Sequence, residues 1–163
     1  IFQGHMAAAP RWESIAWLQQ QTTLPIILKG ILHPQDALQA KQLGLAGVVV
    51  SNHGGRALEG SPASLAVLPQ VRAAVGDDFM LLLDGGIRRG SDVFKALALG
   101  AQAVFLGRPQ AYGLGAAGAV GVAQMLRLLR EELELTMALA GCVTLAEITS
   151  ASLVNPNELS LCY

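Results

Sequence analysis

The sequence predicts an α/β fold built on a parallel sheet, and three observations predict it. Short, continuously apolar runs rich in β-branched residues alternate with segments of helical periodicity. The runs are not interleaved with polar residues, as half-exposed strands would be. Apolar residues make up 52% of the 163-residue chain and charged residues 14%, so most elements need a buried face, and a disordered chain is excluded.

The elements follow in order. Trp12 to Leu18 carries apolar residues at helical spacing, and Leu24 to Leu28 is a short apolar strand. Pro34 opens a helix reaching Leu43, since proline suits a first turn where no N–H is needed, and Ala46 to Val50 is the second strand. A third helix covers Ser64 to Val75 and a third strand Phe79 to Leu83. Ser91 to Leu99 is a helix ended by Gly100, and Ala101 to Leu106 is the fourth strand. Gly118 to Leu139, amphipathic and carrying Arg127, Arg130, Glu131, Glu132 and Glu134, closes the chain as a helix. Fully apolar strands imply a sheet covered on both faces, and strict alternation implies right-handed crossovers: four consecutive βα units.

Composition excludes several functions. The net charge is −1 and the eleven Lys and Arg residues form no stripe, so no nucleic-acid or anionic membrane partner is indicated. No apolar run reaches the roughly 20 residues of a membrane-spanning helix. The two cysteines, Cys142 and Cys162, lack metal-ligand spacing, and no metal site is expected. With no signal peptide visible, they read as reduced thiols of an intracellular protein. Residues 1–6, Ile-Phe-Gln-Gly-His-Met, look like a protease-site remnant followed by a cloning-site His-Met and are set aside.

Parallel α/β sheets collect ligands at the carboxyl ends of their strands. Those ends are Lys29-Gly30, Ser51 to Arg56, Asp84 to Gly90, and Gly107-Arg108-Pro109. Singly, each residue has an ordinary explanation: Lys29 as a solvated strand end, His53 as a loop histidine, Arg88 and Arg89 as surface charge. Yet the start of the Ser91 helix disfavours cations unless an anion is shared there, which points to phosphate. In an eightfold barrel the loops after strands seven and eight often bind phosphate. If Asp84-Gly85-Gly86 and Gly107-Arg108 are those loops, the chain holds strands five to eight of a TIM (β/α)8 barrel, a fold of about 250 residues when whole.

The segments Leu28-Lys29-Gly30-Ile31, Ser51-Asn52-His53-Gly54-Gly55-Arg56, Leu83 to Val93, and Lys95 to Pro109 resemble the FMN-dependent 2-hydroxy-acid oxidase family. That family includes glycolate oxidase, lactate oxidase, mandelate dehydrogenase and flavocytochrome b2. The resemblance runs from about Trp12 to Ile148, and Ser-Asn-His-Gly-Gly-Arg is its most specific run. It implies that 7–163 is the C-terminal half of such a barrel, with FMN as cofactor. The activity implied is oxidation of a small (S)-2-hydroxy acid to the 2-oxo acid, with oxygen or another acceptor taking the electrons.

By the same resemblance His53 is the catalytic base and also meets the substrate, and Arg56 holds the substrate carboxylate as a planar bidentate donor. Lys29 lies against the pyrimidine edge of the flavin and Ser51 touches it. Asp84, Gly85, Gly86, Arg88, Gly107 and Arg108 bind the ribityl and phosphate portions. Relatives usually read Arg-Gln-Leu-Asp where this chain reads Arg56-Ala57-Leu58-Glu59, and many carry tryptophan where it has Tyr112. The family's strand-four aspartate, substrate tyrosines and second arginine belong to a half not in this sequence, and Tyr112 and Tyr163 are not placed to replace those tyrosines. The alternatives are a half-barrel, natural or engineered, that keeps the phosphate site with little turnover, and a different flavin-dependent isopentenyl or nucleotide barrel, which would not explain His53 with Arg56. A homo-oligomer is expected, in the cytoplasm, or in the peroxisome of a eukaryote.

Overall fold

The computed structural model describes Gly4 and residues 9–154. Apart from Gly4, the expected remnant at 1–6 lies outside the described residues, as do Cys162 and Tyr163. Helix α1 (Trp12–Gln21) leads into β1 (Ile27–Ile31), α2 (Pro34–Gln42), β2 (Gly47–Val50), α3 (Ser64–Val75), β3 (Met80–Leu83), α4 (Gly90–Ala98), β4 (Ala103–Val104) and α5 (Arg108–Leu139). The strands form one parallel sheet in the order β1-β2-β3-β4. Each strand thus pairs with its predecessor across a helical crossover, as the alternation of patterns predicts.

The core lies between the helices and one face of the sheet. Val48, Val50, Leu81 and Leu83 are fully buried there against Ala37, Ala40, Leu68, Val71 and Ala96. The expectation of a sheet covered on both faces is met only in part among the described residues: opposite the helices Val49 and Leu82 are buried. On that face Ile27, Met80 and Phe105 stay 39%, 40% and 50% exposed, because strand side chains alternate and every crossover helix packs on the same side. A second, smaller cluster joins Phe94 and Ala98 of α4 to Cys142 and Ile148, with Leu133 and Met137 of α5 packed on it.

Several boundaries differ from the sequence reading, α1 and β1 each running three residues past the expected Leu18 and Leu28. β1 begins at Ile27 rather than Leu24, after Pro25, which cannot donate to a ladder. β4 has two ladder residues instead of six; among the described residues it pairs with β3 alone, and Gln102 N and Phe105 N add single bonds to Leu81 O and Leu83 O, each 2.8 Å. The last helix starts at Arg108, ten residues early, with Pro109 in its first turn, and it breaks at Ala117-Gly118 (Gly118 φ 58°). By length and composition alone this 32-residue helix could cross a membrane, with a mean hydropathy of 1.2 over its most apolar window, although no unbroken apolar run in it reaches about 20 residues. The break divides it, and the longer arm carries Arg127, Arg130, Glu131, Glu132 and Glu134.

Candidate functional site

The carboxyl ends of the four strands open on a cleft of about 650 Å³. Its walls include Lys29, His53, Gly54, Arg56, Asp84, Gly85, Gly86, Arg88, Gly107, Arg108 and Tyr112. Every residue the sequence singled out for a site lines this cleft except Ser51, which lies buried just beneath it.

Ser51 joins the first two strand ends. It follows the last residue of β2, is 1% exposed, and its Oγ accepts from Lys29 Nζ at 3.0 Å and from His53 N at 3.1 Å. Lys29 Nζ is also paired with Asp84 Oδ2 at 2.8 Å, so one ammonium ties β1, β2 and β3 together at the rim. The other carboxylate oxygen, Asp84 Oδ1, is buried and has no hydrogen-bond partner among the described residues. A buried acceptor left unpaired costs roughly 1–3 kcal/mol, which a ligand hydroxyl would return.

His53 takes φ 55°, the left-handed region that few non-glycine residues adopt. The turn around it is held by Asn52. Its Oδ1 accepts from Gly55 N at 3.2 Å, its Nδ2 donates to Pro62 O at 3.2 Å, and its own N–H donates to Ser64 Oγ at 3.1 Å. Strain held by surrounding bonds is common at functional turns and costs about 1–3 kcal/mol. Sequence reasoning missed Asn52 and Ser64 as supports; an Asn before a Gly-Gly pair, at a position that favours side-chain-to-backbone bonding, was the available signal.

Arg56, Arg88 and Arg108 have no carboxylate partner among the described residues. Arg108 reaches towards the His53 turn, its guanidinium 3.6 Å from where a Cβ on Gly54 would stand. The cleft therefore presents four cations and one carboxylate, Asp84.

One expectation fails here. The start of α4 is not free for an anion: Asp92 Oδ2 accepts from both Arg88 N and Arg89 N at 3.0 Å, and Glu132 Oε2 of α5 accepts from Gly90 N at 2.9 Å. Two carboxylates of the protein already occupy that positive helix end. The start of α5 has no side-chain cap, and its Gly107-Arg108-Pro109 turn lines the cleft. Tyr112, one turn into α5, is a cleft wall as well, a position the sequence reading had not assigned to it. Among the described residues no cluster of His, Cys, Asp or Glu is arranged to hold a metal ion, and Cys142 is a buried free thiol.

Comparison with known proteins gives one answer. The model of the family described as FMN-dependent dehydrogenase matches residues 1–155. An L-lactate oxidase of Alicycliphilus denitrificans is 58% identical over 94% of this chain and 42% of its own length. A peroxisomal (S)-2-hydroxyacid oxidase of Arabidopsis thaliana is 53% identical over 90% of this chain and 40% of its own. Among solved structures, a mandelate oxidase bound to (S)-2-phenylpropionate superposes with a TM-score of 0.82 at 49% identity, covering 85% of this chain and 42% of its own. Flavocytochrome b2 with sulfite bound superposes at 0.84 and 40% identity, covering 88% and 38%. The chain spans about two fifths of the length of the relatives it matches, and its four βα units are part of a (β/α)8 barrel.

Proposed function

The chain belongs to the FMN-dependent dehydrogenase family, and from that premise we propose that it forms the FMN- and substrate-facing half, strands five to eight, of an oxidase of small (S)-2-hydroxy acids. The observation that carries the reading is the charge of the cleft. Four cations against one carboxylate leave an excess of three positive charges. Such an excess suits a phosphate dianion together with one substrate carboxylate.

The residues present fit FMN. The unpaired Asp84 Oδ1 is an acceptor for a ribityl hydroxyl, in a cradle with Gly85 and Gly86. Arg88, Arg108 and the uncapped start of α5 at Gly107 are donors for the phosphate. Lys29, fixed by Ser51 and Asp84, offers a positioned cation to the pyrimidine edge. When bound, the flavin supplies the two-electron acceptor.

The protein's own groups handle the rest. Arg56 holds the substrate carboxylate through its planar fork, and a lysine there would supply charge without the second bond. His53 takes a proton from the substrate, the free ring nitrogen of an imidazole being a base able to hold it. The bond from its N–H to Ser51 Oγ fixes the backbone that carries the ring. The electrons pass to oxygen or another acceptor. Self-association is part of this reading, because the uncovered sheet face and strand edges need burial. The work place is intracellular, cytoplasmic or, as for the Arabidopsis relative, peroxisomal.

Absorbance tests it. Purified chain equilibrated with FMN should retain the oxidised-flavin bands, and an Arg108→Ala variant should bind FMN at least tenfold more weakly, the low range for a lost charge-assisted bond. Equal affinities would sink the phosphate assignment. Anaerobic addition of lactate or glycolate separates the alternatives: bleaching marks an active oxidase, and bands that persist mark a half-barrel that binds without turnover. In an intact oxidase carrying this sequence, His53→Ala should lose turnover by orders of magnitude while keeping FMN.

A further inference from the structure

Gly30 interrupts β1 at the rim of the cleft, between a cation and a histidine that belong to different strand ends. The pairing of β1 with β2 is regular from Ile27↔Gly47 to Lys29↔Val49 and resumes at Ile31↔Val50, so Gly30 is the extra residue of a bulge. Its φ is 98°, in the left-handed region. A Cβ built on Gly30 would stand 2.9 Å from His53 Cε1 and 3.6 Å from His53 Nδ1. The imidazole thus occupies the space that any other residue at 30 would fill. Carbon atoms pack at about 3.5–4.0 Å, so the ring could not keep this position beside a side chain at 30.

We propose that Gly30 is a positioning residue for His53: the bulge turns Lys29 towards Ser51 and Asp84, and the missing side chain is the seat of the imidazole. The two functions share one point of the chain. Lys29 Nζ and His53 N meet on the same Ser51 Oγ, which sets the backbone of the histidine. Nothing in that bond sets its ring. The ring lies at the exposed end of a strained turn, and Gly30 supplies a wall for it. A Cβ at 30 would push the ring, the part of the contact free to move, and not the sheet. The catalytic weight of this placement rests on the reading of His53 as the proton acceptor, but the placement itself does not.

NMR of the full chain tests it without flavin or turnover. The wild type should give a strong nuclear Overhauser contact between a Gly30 Hα and His53 Hε1. In Gly30→Ala the His53 ring signals should shift, while those of His33, the N-cap of α2, stay in place. Gly44→Ala is the control for backbone strain alone, because Gly44 has φ 73° with nothing within 4 Å of its Cβ position. It should leave His53 unmoved. Absence of the wild-type contact overturns the proposal even if Gly30→Ala fails to fold. So does an unchanged His53 in a folded Gly30→Ala, or an equal shift in Gly44→Ala. An active oxidase with none of these signatures would refute Gly30 and leave the function standing; the signatures without turnover would do the reverse.

Discussion

Removing the ion pair at the cleft rim should cost the fold about 2 kcal/mol. At 2.8 Å, Lys29 Nζ and Asp84 Oδ2 attract with a ceiling of about 6 kcal/mol at an effective dielectric constant of roughly 20. The net value is far smaller. The lysine side chain is 46% exposed and the aspartate 18%, so the pair sits between exposed pairs, at about 0–1 kcal/mol, and buried ones, where losing a partner costs about 3–5. A double-mutant cycle with Lys29→Met, Asp84→Asn and both isolates this term, because the effect of each substitution on its other neighbours, including the polar atom at the Asp84 Oδ1 position, cancels. Urea unfolding followed by circular dichroism is the assay. With a slope of about 2 kcal/mol per molar, each single variant should unfold about 1 M earlier, and the double variant little earlier than either. A coupling energy under about 0.5 kcal/mol would refute the idea that Asp84 holds Lys29 in place.

Three further outcomes are expected. Arg72→Ala should lose about 2–4 kcal/mol in the same assay, because its guanidinium, which burial pushes below its ordinary pKa, donates to Phe79 O at 2.9 Å and Gly100 O at 2.6 Å and would leave both unpaired; Gln102 Oε1, a third acceptor at 3.1 Å, keeps its bond from Leu81 N. Stability should fall as the pH drops below about 4: the hydrogen bond from Lys41 holds Asp78, and the bond from Val143 N holds Glu147, below the usual carboxylate range, so their contribution is present above the unfolded pKa and lost as pH falls through the folded one. Asp78→Asn should flatten that decline, and an unchanged profile would exclude the Lys41 pair as a cause. Light scattering should show association of the purified chain; a monodisperse monomer would show that the uncovered apolar surface is tolerated.

What the sequence made legible was local, and what it hid was long-range. Helix Ser64–Val75 is bounded as its periodicity predicts, and the order of strands follows from alternation alone. The rim residues were legible because parallel sheets put ligands at carboxyl ends, a rule that needs no contact map. The start of α4 was misread because its occupant, Glu132, lies 42 residues further on. The seat of His53 depends on Gly30, 23 positions earlier, and on a bulge that no pattern of apolar residues encodes. The early start of α5 was within reach: Pro109, read as part of a loop, is also a residue suited to a first helical turn. The uncovered sheet face was hidden by the strands' own composition, since Ile27 and Met80 read as buried whether or not anything covers them.

That uncovered face separates two things the cleft needs. The position of each rim group is set within these four units: Lys29 by Ser51 and Asp84, the His53 backbone by Ser51 and its turn by Asn52, and the α5 start by the chain after β4. The dryness of the site is not. His53, Arg56, Arg88 and Arg108 are exposed, and so are Phe105 and Tyr112 beside them. Water screens charge, so a cation that stabilises developing negative charge by several kcal/mol in a closed site gives far less in an open one. Recognition of a phosphate or carboxylate survives such screening better than transition-state stabilisation does, because bidentate and backbone hydrogen bonds fix geometry even in water. On the proposed reading the four βα units carry the groups for binding, and a dry site would need a second surface over Phe105, Tyr112 and the open side of the sheet.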